Sequence, residues 1–581
     1  MIYPLWGISM APNALDHQLT QLEACRYSFG RNQATRVVKL LNRLDAARFP
    51  DTAPLIRFHE ALLFLRAFPQ GPTVVRTTER ILNRFHKKVG ALRKAGADMD
   101  DFDTFEVSGI AGTQMEDTLS FDVANWLINT RRMPGKVEIA WENYEPGREL
   151  GNTGPRFIPL LEDDAYVEAD TPWRRWLEAA GGEFKRKQRA TPAWLIQRFE
   201  ELPLPPQQKA ELYESLRVPL RWNLENSAIT RTRNWKPVPS VFYHSEPLIS
   251  RSQVSLADEL ARPPAQLKKL SRKQGEEVMD LIREVMLVRY RELYGTTLGD
   301  PASVVRSDFG RGVSIYLWNL PPDRRLPLRA YVAGLTLKNG VPINYVEAIG
   351  LCEWMEVGFN TFYTFRGGEA GWIYAQVLRC LCHLMGTTCV SVYPYQLGHD
   401  NDEAIESGAF WFYRKLGFRP GRSELQKLAE SEERKIAADP NYRTPARTLK
   451  RLAAGHVFYE LPGSEVGAWD RFSTRNIGLR VNRRMAHDFG GDASLMREQS
   501  RRALERLLGV STSSWTPLEK AAFENFALVL TQLPGLRAWT QEEKKDLVRI
   551  IRAKAKRDEM LYLHLTQRHA QLRRALLALG S

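Results

Sequence analysis

Residues 365–386 read FRGGEAGWIYAQVLRCLCHLMG, residues 387–397 read TTCVSVYPYQL, and residues 401–420 read NDEAIESGAFWFYRKLGFRP. A glycine-rich turn opens the first stretch and predicts a helix over Ala370 to Met385. That helix is apolar nearly all round, through Trp372, Ile373, Val377, Leu378, Leu381, Leu384 and Met385, so it belongs in a core. Gly386 supplies its stop. Thr388 to Tyr395 follows as a strand, and Glu403 to Leu416 as an aromatic helix before Gly417-Phe418. Helix, strand, helix in this order predicts a mixed α/β fold.

Strands are expected on both sides of this stretch. Val313 to Leu320 and Leu328 to Leu337 are strands by branched and aromatic content, joined to a third within Asn344 to Phe359. The turn Lys338-Asn339-Gly340 marks a hairpin, because Asn-Gly adopts positive φ at little cost. After a charged helical insertion, His456 to Leu461 reads as a last strand. An amphipathic helix over Arg272 to Tyr294 precedes the strands and carries Val278, Leu281, Ile282, Val285 and Val288. Val241 to His244 reads as a short strand.

The flanks differ in texture. The first 235 residues read as mostly helical, with Leu22, Cys25, Val37, Leu40 and Leu41 near helical spacing and a helix over Phe121 to Thr130. Beyond Pro462 helix returns, and Thr516-Pro517-Leu518-Glu519 and Thr540-Gln541-Glu542-Glu543 both read as capping boxes. Three regions are expected: a mostly helical 1–235, a mixed sheet domain over 236–465, and a helical 466–581.

At 581 residues the chain is too long for one ordinary core. Its 43% hydrophobic and 26% charged content is that of a folded protein. No apolar run of membrane-spanning length occurs, and the N-terminus lacks the pattern of a signal peptide. Five cysteines, an odd number, argue against a disulfide framework and point to a reducing cytoplasm. The formal charge of +14 favours phosphate-bearing or polyanionic partners.

The order of turn, helix, strand and closing helix resembles the second half of a GNAT-type N-acetyltransferase. The resemblance covers roughly residues 240–462 and is strongest over 343–420. Ala409 to Phe418 matches the family's A-x-x-x-Y-x-K-x-G-F signature. The phosphate turn fits in part: Arg366 and Gly371 take the outer positions, while Glu369 stands where the inner glycine belongs. Shifted by one, Gly368 and Ala370 fit and Phe365 takes the basic place. The resemblance implies a GNAT-like mixed sheet flanked by helices, and transfer of an acyl group, acetyl first of all, from an acyl-CoA to an amine. It implies Tyr413 as the acid that protonates the leaving thiolate, a role suited to a phenol of pKa about 10. It assigns cofactor contacts to Arg366, Gly367, Gly368, Ala370 and Gly371, and backbone contacts to Met355 and Val357.

A deprotonated amine is needed, and Glu353 and Glu356, with Glu347, are candidate bases. On one regular strand Glu347 and Glu353 share a face and Glu356 points oppositely. His399-Asp400 could assist, though such a cluster more commonly caps the following helix. Cys380 and Cys382 fall on different helix faces, so no metal site is expected. Basic residues interleave with aromatic ones at 184–189 (FKRKQR) and 231–236 (RTRNWK), which keeps nucleic acid as an alternative partner. Three readings follow: an acyl-CoA-dependent N-acyltransferase acting on a small-molecule or protein amine, a GNAT-like structural or regulatory module without activity, and a basic nucleic-acid or partner-binding protein.

Overall fold

The hairpin at Asn339-Gly340 forms as its sequence dictates, with both residues at positive φ, 49° and 81°. It lies in a computed structural model that describes residues 14–30, 32–130, 137–144, 148–160, 173–181, 190–225 and 227–581. Helix makes up 54% and strand 12%, so the fold is mixed α/β.

Three short strands, β1 (Gln114–Thr118), β2 (Val137–Ile139) and β3 (Pro219–Asn223), form an antiparallel sheet in the order β1-β3-β2. This sheet interrupts the helical reading of the first region and has its own core, with Leu127, Phe199, Leu220 and Trp222 at its centre. The other strands are β4 (Lys268–Lys269), β5 (Val305–Asp308), β6 (Val313–Asn319), β7 (Ala330–Lys338), β8 (Val341–Leu351), β9 (Trp354–Thr361), β10 (Cys389–Val392), β11 (Arg419–Pro420) and β12 (Val457–Glu460). They make one nine-stranded sheet, ordered β11-β12-β10-β9-β8-β7-β6-β5-β4. Its pairs are antiparallel except β9 with β10, which run parallel.

The expected single strand over 344–359 is in fact two. Leu351 pairs with Trp354, and Cys352 takes φ 52° in the turn between them. The register sets Ile349 opposite Glu356 and Glu347 opposite Gly358. Glu347 and Glu356 therefore share a face, which corrects the opposed orientation expected of one continuous strand.

A single hydrophobic core runs from Leu19 to Leu579, joining the first helices, both sheet faces and the last helices. The helix Ala370–Met385 covers one face and ends at Gly386 with φ 65°. The C-terminal helix Glu559–Arg568 packs on β7, β8 and the Ala370–Met385 helix. The Asn339 side chain ties the hairpin to the N-terminal helices by donating to the carbonyl oxygens of Ala67 (2.9 Å) and Phe242 (3.0 Å). Val241 to His244, expected as a strand, is irregular where it meets this turn. No helix among the described residues is long and apolar enough to cross a membrane.

Candidate functional site

The parallel pair is short. β9 meets β10 only at Trp354↔Cys389, Met355↔Val390 and Glu356↔Ser391. β9 continues to Thr361, while β10 ends at Val392 and gives way to the short helix Pro394–Leu397. The strands part, and a cavity of about 200 Å³ opens between them. Phe359, Thr361, Gln396, Ala404, Phe412 and Tyr413 form much of its wall.

The backbone of β9 presents an open edge here. Cys389 N–H donates to the Glu353 carbonyl, so the peptide groups of 353, 355, 357, 359 and 361 face β10 in the two-residue alternation of a strand. Met355 is still paired with Val390, and Val357 lies one residue past the last rung. The peptide groups of Phe359 and Thr361 thus face the cavity with no strand opposite.

The aromatic helix is also two elements, Asp402–Glu406 and Ala409–Arg414, because Gly408 at φ 68° re-aims the chain. That turn sets Tyr413 against Phe412, Phe418 and Tyr374, with ring centroids 5.2, 5.6 and 5.6 Å apart. Burial pushes the phenol upward from its ordinary pKa, so it stays protonated. Asn401 caps the first of these helices, accepting from Ala404 N–H at 3.2 Å, and His399 and Asp400 are exposed beside it.

Arg366 lies at the mouth of the cavity, paired with Glu403 and with its guanidinium 5.3 Å from the Tyr363 ring centre. Ala370 lines the cavity. Gly367 and Gly368 face the protein's own side chains. A Cβ on Gly367 would strike the Tyr27 hydroxyl, and one on Gly368 would come within 2.7 Å of Phe68. Gly371 is packed against Arg251. Glu369 does not cap the helix. It is fully buried and accepts from Lys338 (3.0 Å), Arg311 and Ile249 N–H (3.2 Å). Despite its burial, Lys338 and Arg311 hold its carboxyl below the ordinary range. The first turn of the long helix is left without a side-chain cap, its negative neighbour neutralised.

Arg251 also donates to the Trp411 carbonyl at 3.0 Å, bridging that helix start and the closing helix. Burial, with Arg251 and Arg443 close by, holds Lys415 below the usual lysine range. Arg251 thus sits against the helix start, and Lys415 lies within electrostatic reach of Arg251 and Arg443.

The other face of β9 holds the glutamates. Glu356, where the strands part, lies 3.1 Å from His456 and 3.7 Å from Arg329. Glu347 accepts from the Tyr331 hydroxyl, and burial raises its carboxyl. Glu353, in the turn at the far end of β9, accepts from Trp469 (2.8 Å) and Arg573 (2.6 Å), so it ties the sheet to the last helix. It stands about 10 Å farther along than Glu356 at a strand's rise per residue. His456 also lines a groove of about 930 Å³ with Tyr393, Arg422, Asp470 and Arg475.

His456, Arg251 and Arg443 carried no local signal, because each joins the site from an element remote in sequence. Of the basic stretches, residues 184–189 lie outside the described residues, whereas Arg231, Thr232 and Asn234 of the second are buried. Cys380 is near Ser307 and Cys382 near Thr387, and no three His, Cys, Asp or Glu side chains converge among the described residues. Comparison with protein families, with curated proteins and with solved structures finds no match for this chain.

Proposed function

We propose that the chain is a GNAT-type N-acyltransferase that moves an acyl group from an acyl-CoA to an amine. The parting of β9 and β10, the one parallel pair of the large sheet, carries this reading. It leaves a cavity with an unpaired backbone edge on one wall and Tyr413 on another. The order of strands around it supports a GNAT-like sheet, and the uncapped helix start with Arg251, Lys415 and Arg443 suits a phosphate-bearing donor.

In this reading Glu356, oriented by His456, takes a proton from the incoming amine on the groove side of the sheet. The amine nitrogen then bonds to the thioester carbon, whose oxygen is met by free amides of β9. As the carbon–sulfur bond breaks, Tyr413 gives its proton to the sulfur, and the nitrogen releases its surplus proton to solvent. Tyr413 then recovers a proton, leaving a neutral amide and a free thiol. The test is transfer of labelled acetyl from acetyl-CoA to a panel of amines. Turnover that falls in both Tyr413→Phe and Glu356→Gln supports the reading, and equal turnover in all three proteins contradicts it.

A second reading, a GNAT-like module without activity, draws on one specific observation. Tyr27 and Phe68 cover the glycines that a phosphate would approach. It predicts no acyl-CoA binding in the full chain.

A further inference from the structure

Beyond the end of β9 lies a second, smaller pocket of about 20 Å³, whose buried arginines the transfer reading does not use. Four arginines, Arg231, Arg289, Arg291 and Arg366, line it with two carboxylates, Glu106 and Glu403. Two of the arginines are deeply buried, Arg231 at 4% and Arg289 at 6% exposure.

Their partners leave them short of negative charge. Arg231 donates to the main-chain carbonyls of Glu106 and Phe105, and its Nε is buried with no partner. The nearest carboxylate, Glu60, is 3.9 Å away and also engages His59 and Thr364. Arg289 donates to the Val285 carbonyl at 2.7 Å and stacks 4.0 Å above Phe362. Arg291 donates to the Tyr345 hydroxyl. Glu403 is already taken by Arg366.

The two buried guanidinia thus share one carboxylate, Glu60, within electrostatic reach of both, and buried charge so poorly matched is costly. Burial, with Arg231 and Arg291 beside it, holds Arg289 well below the ordinary arginine range. Rigid forks in a fixed position match a carboxylate or phosphate group. The volume suits about one water-sized group, so only the tip of a ligand fits. Asn360, Thr361, Arg366 and Glu403 line both this pocket and the larger cavity, so the rest of a ligand has somewhere to go.

We propose that this pocket binds the terminal oxyanion, carboxylate or phosphate, of a small ligand that extends into the neighbouring cavity. This binding stands or falls apart from acyl transfer.

The experiment is calorimetric titration of the full chain with acetate and with inorganic phosphate, in chloride-poor buffer. Wild type is compared with Arg289→Gln and with Arg291→Gln, the latter a partly exposed side chain that serves if the former does not fold. Saturable millimolar binding of one probe, weakened about tenfold or more in a folded variant, is expected. The probe that binds tells which oxyanion the ligand carries. No saturable binding of either probe at tens of millimolar overturns the proposal, as does binding that both variants leave unchanged. Acyl-CoA affinity, titrated separately, tells this failure from failure of the transfer reading.

Discussion

The Glu356 carboxylate lies 3.1 Å from the His456 imidazole, across the face of the sheet opposite the Ala370–Met385 helix. These residues are far apart in sequence and meet because β12 pairs with β10, which pairs with β9. Their meeting point is the last rung before the strands part. Glu356→Gln keeps the shape and removes the base. Acetyl transfer at neutral pH should fall roughly 100-fold with donor affinity nearly unchanged, measured by steady-state kinetics and calorimetry.

Tyr413 makes the opposite prediction for stability and rate. Its ring is packed by Tyr374, Phe412 and Phe418, contacts that phenylalanine retains. Tyr413→Phe should change unfolding free energy by no more than about 1 kcal/mol. Transfer should drop on the order of 100-fold. Chemical denaturation and initial rates check the two halves.

Among the described residues, Glu369 is the sole carboxylate bonded to Lys338, a lysine with no exposed surface. Burial pushes Lys338 down to about 8, with Glu369 working against it. Glu369→Gln removes the counter-charge and should destabilise the fold by about 3–5 kcal/mol, read as a lower urea midpoint. Replacing Lys338 by methionine and Glu369 by leucine together should cost less than Glu369→Gln alone.

How much was legible depends on how local each signal was. Asn339-Gly340, Gly386 and the two capping boxes are set by neighbours along the chain, and all four formed where expected. The turn at Cys352-Glu353 was hidden because a cysteine, not a glycine, takes the positive φ within an apolar run. Gly408 broke a helix that aromatic residues suggested was continuous. Tyr413 and Arg366 were legible through a motif and line the same cavity. His456 and the arginine pocket arise from sheet order and long-range packing, which no window of sequence contains.

The capping box at Thr516 and Glu519 gives a pH signature. Glu519 accepts from Thr516 N–H at 3.0 Å and pairs with Arg552 at 3.0 Å and Lys556 at 3.3 Å. Though burial opposes them, these partners hold its carboxyl at about 2, below the usual 4.5. A depressed carboxylate stabilises the fold above its unfolded pKa, and that contribution is lost as pH falls from about 4.5 towards 2. Glu519→Gln should flatten this part of the acid limb in thermal melts taken across that range.

Whether the gap between β9 and β10 receives an acyl-CoA is decided by calorimetric titration of acetyl-CoA into wild type and Arg366→Glu. The substitution would set a second carboxylate beside Glu403 at the cavity mouth. Micromolar binding to wild type, lost in the variant, is expected. No heat of binding to wild type at millimolar acetyl-CoA would contradict it.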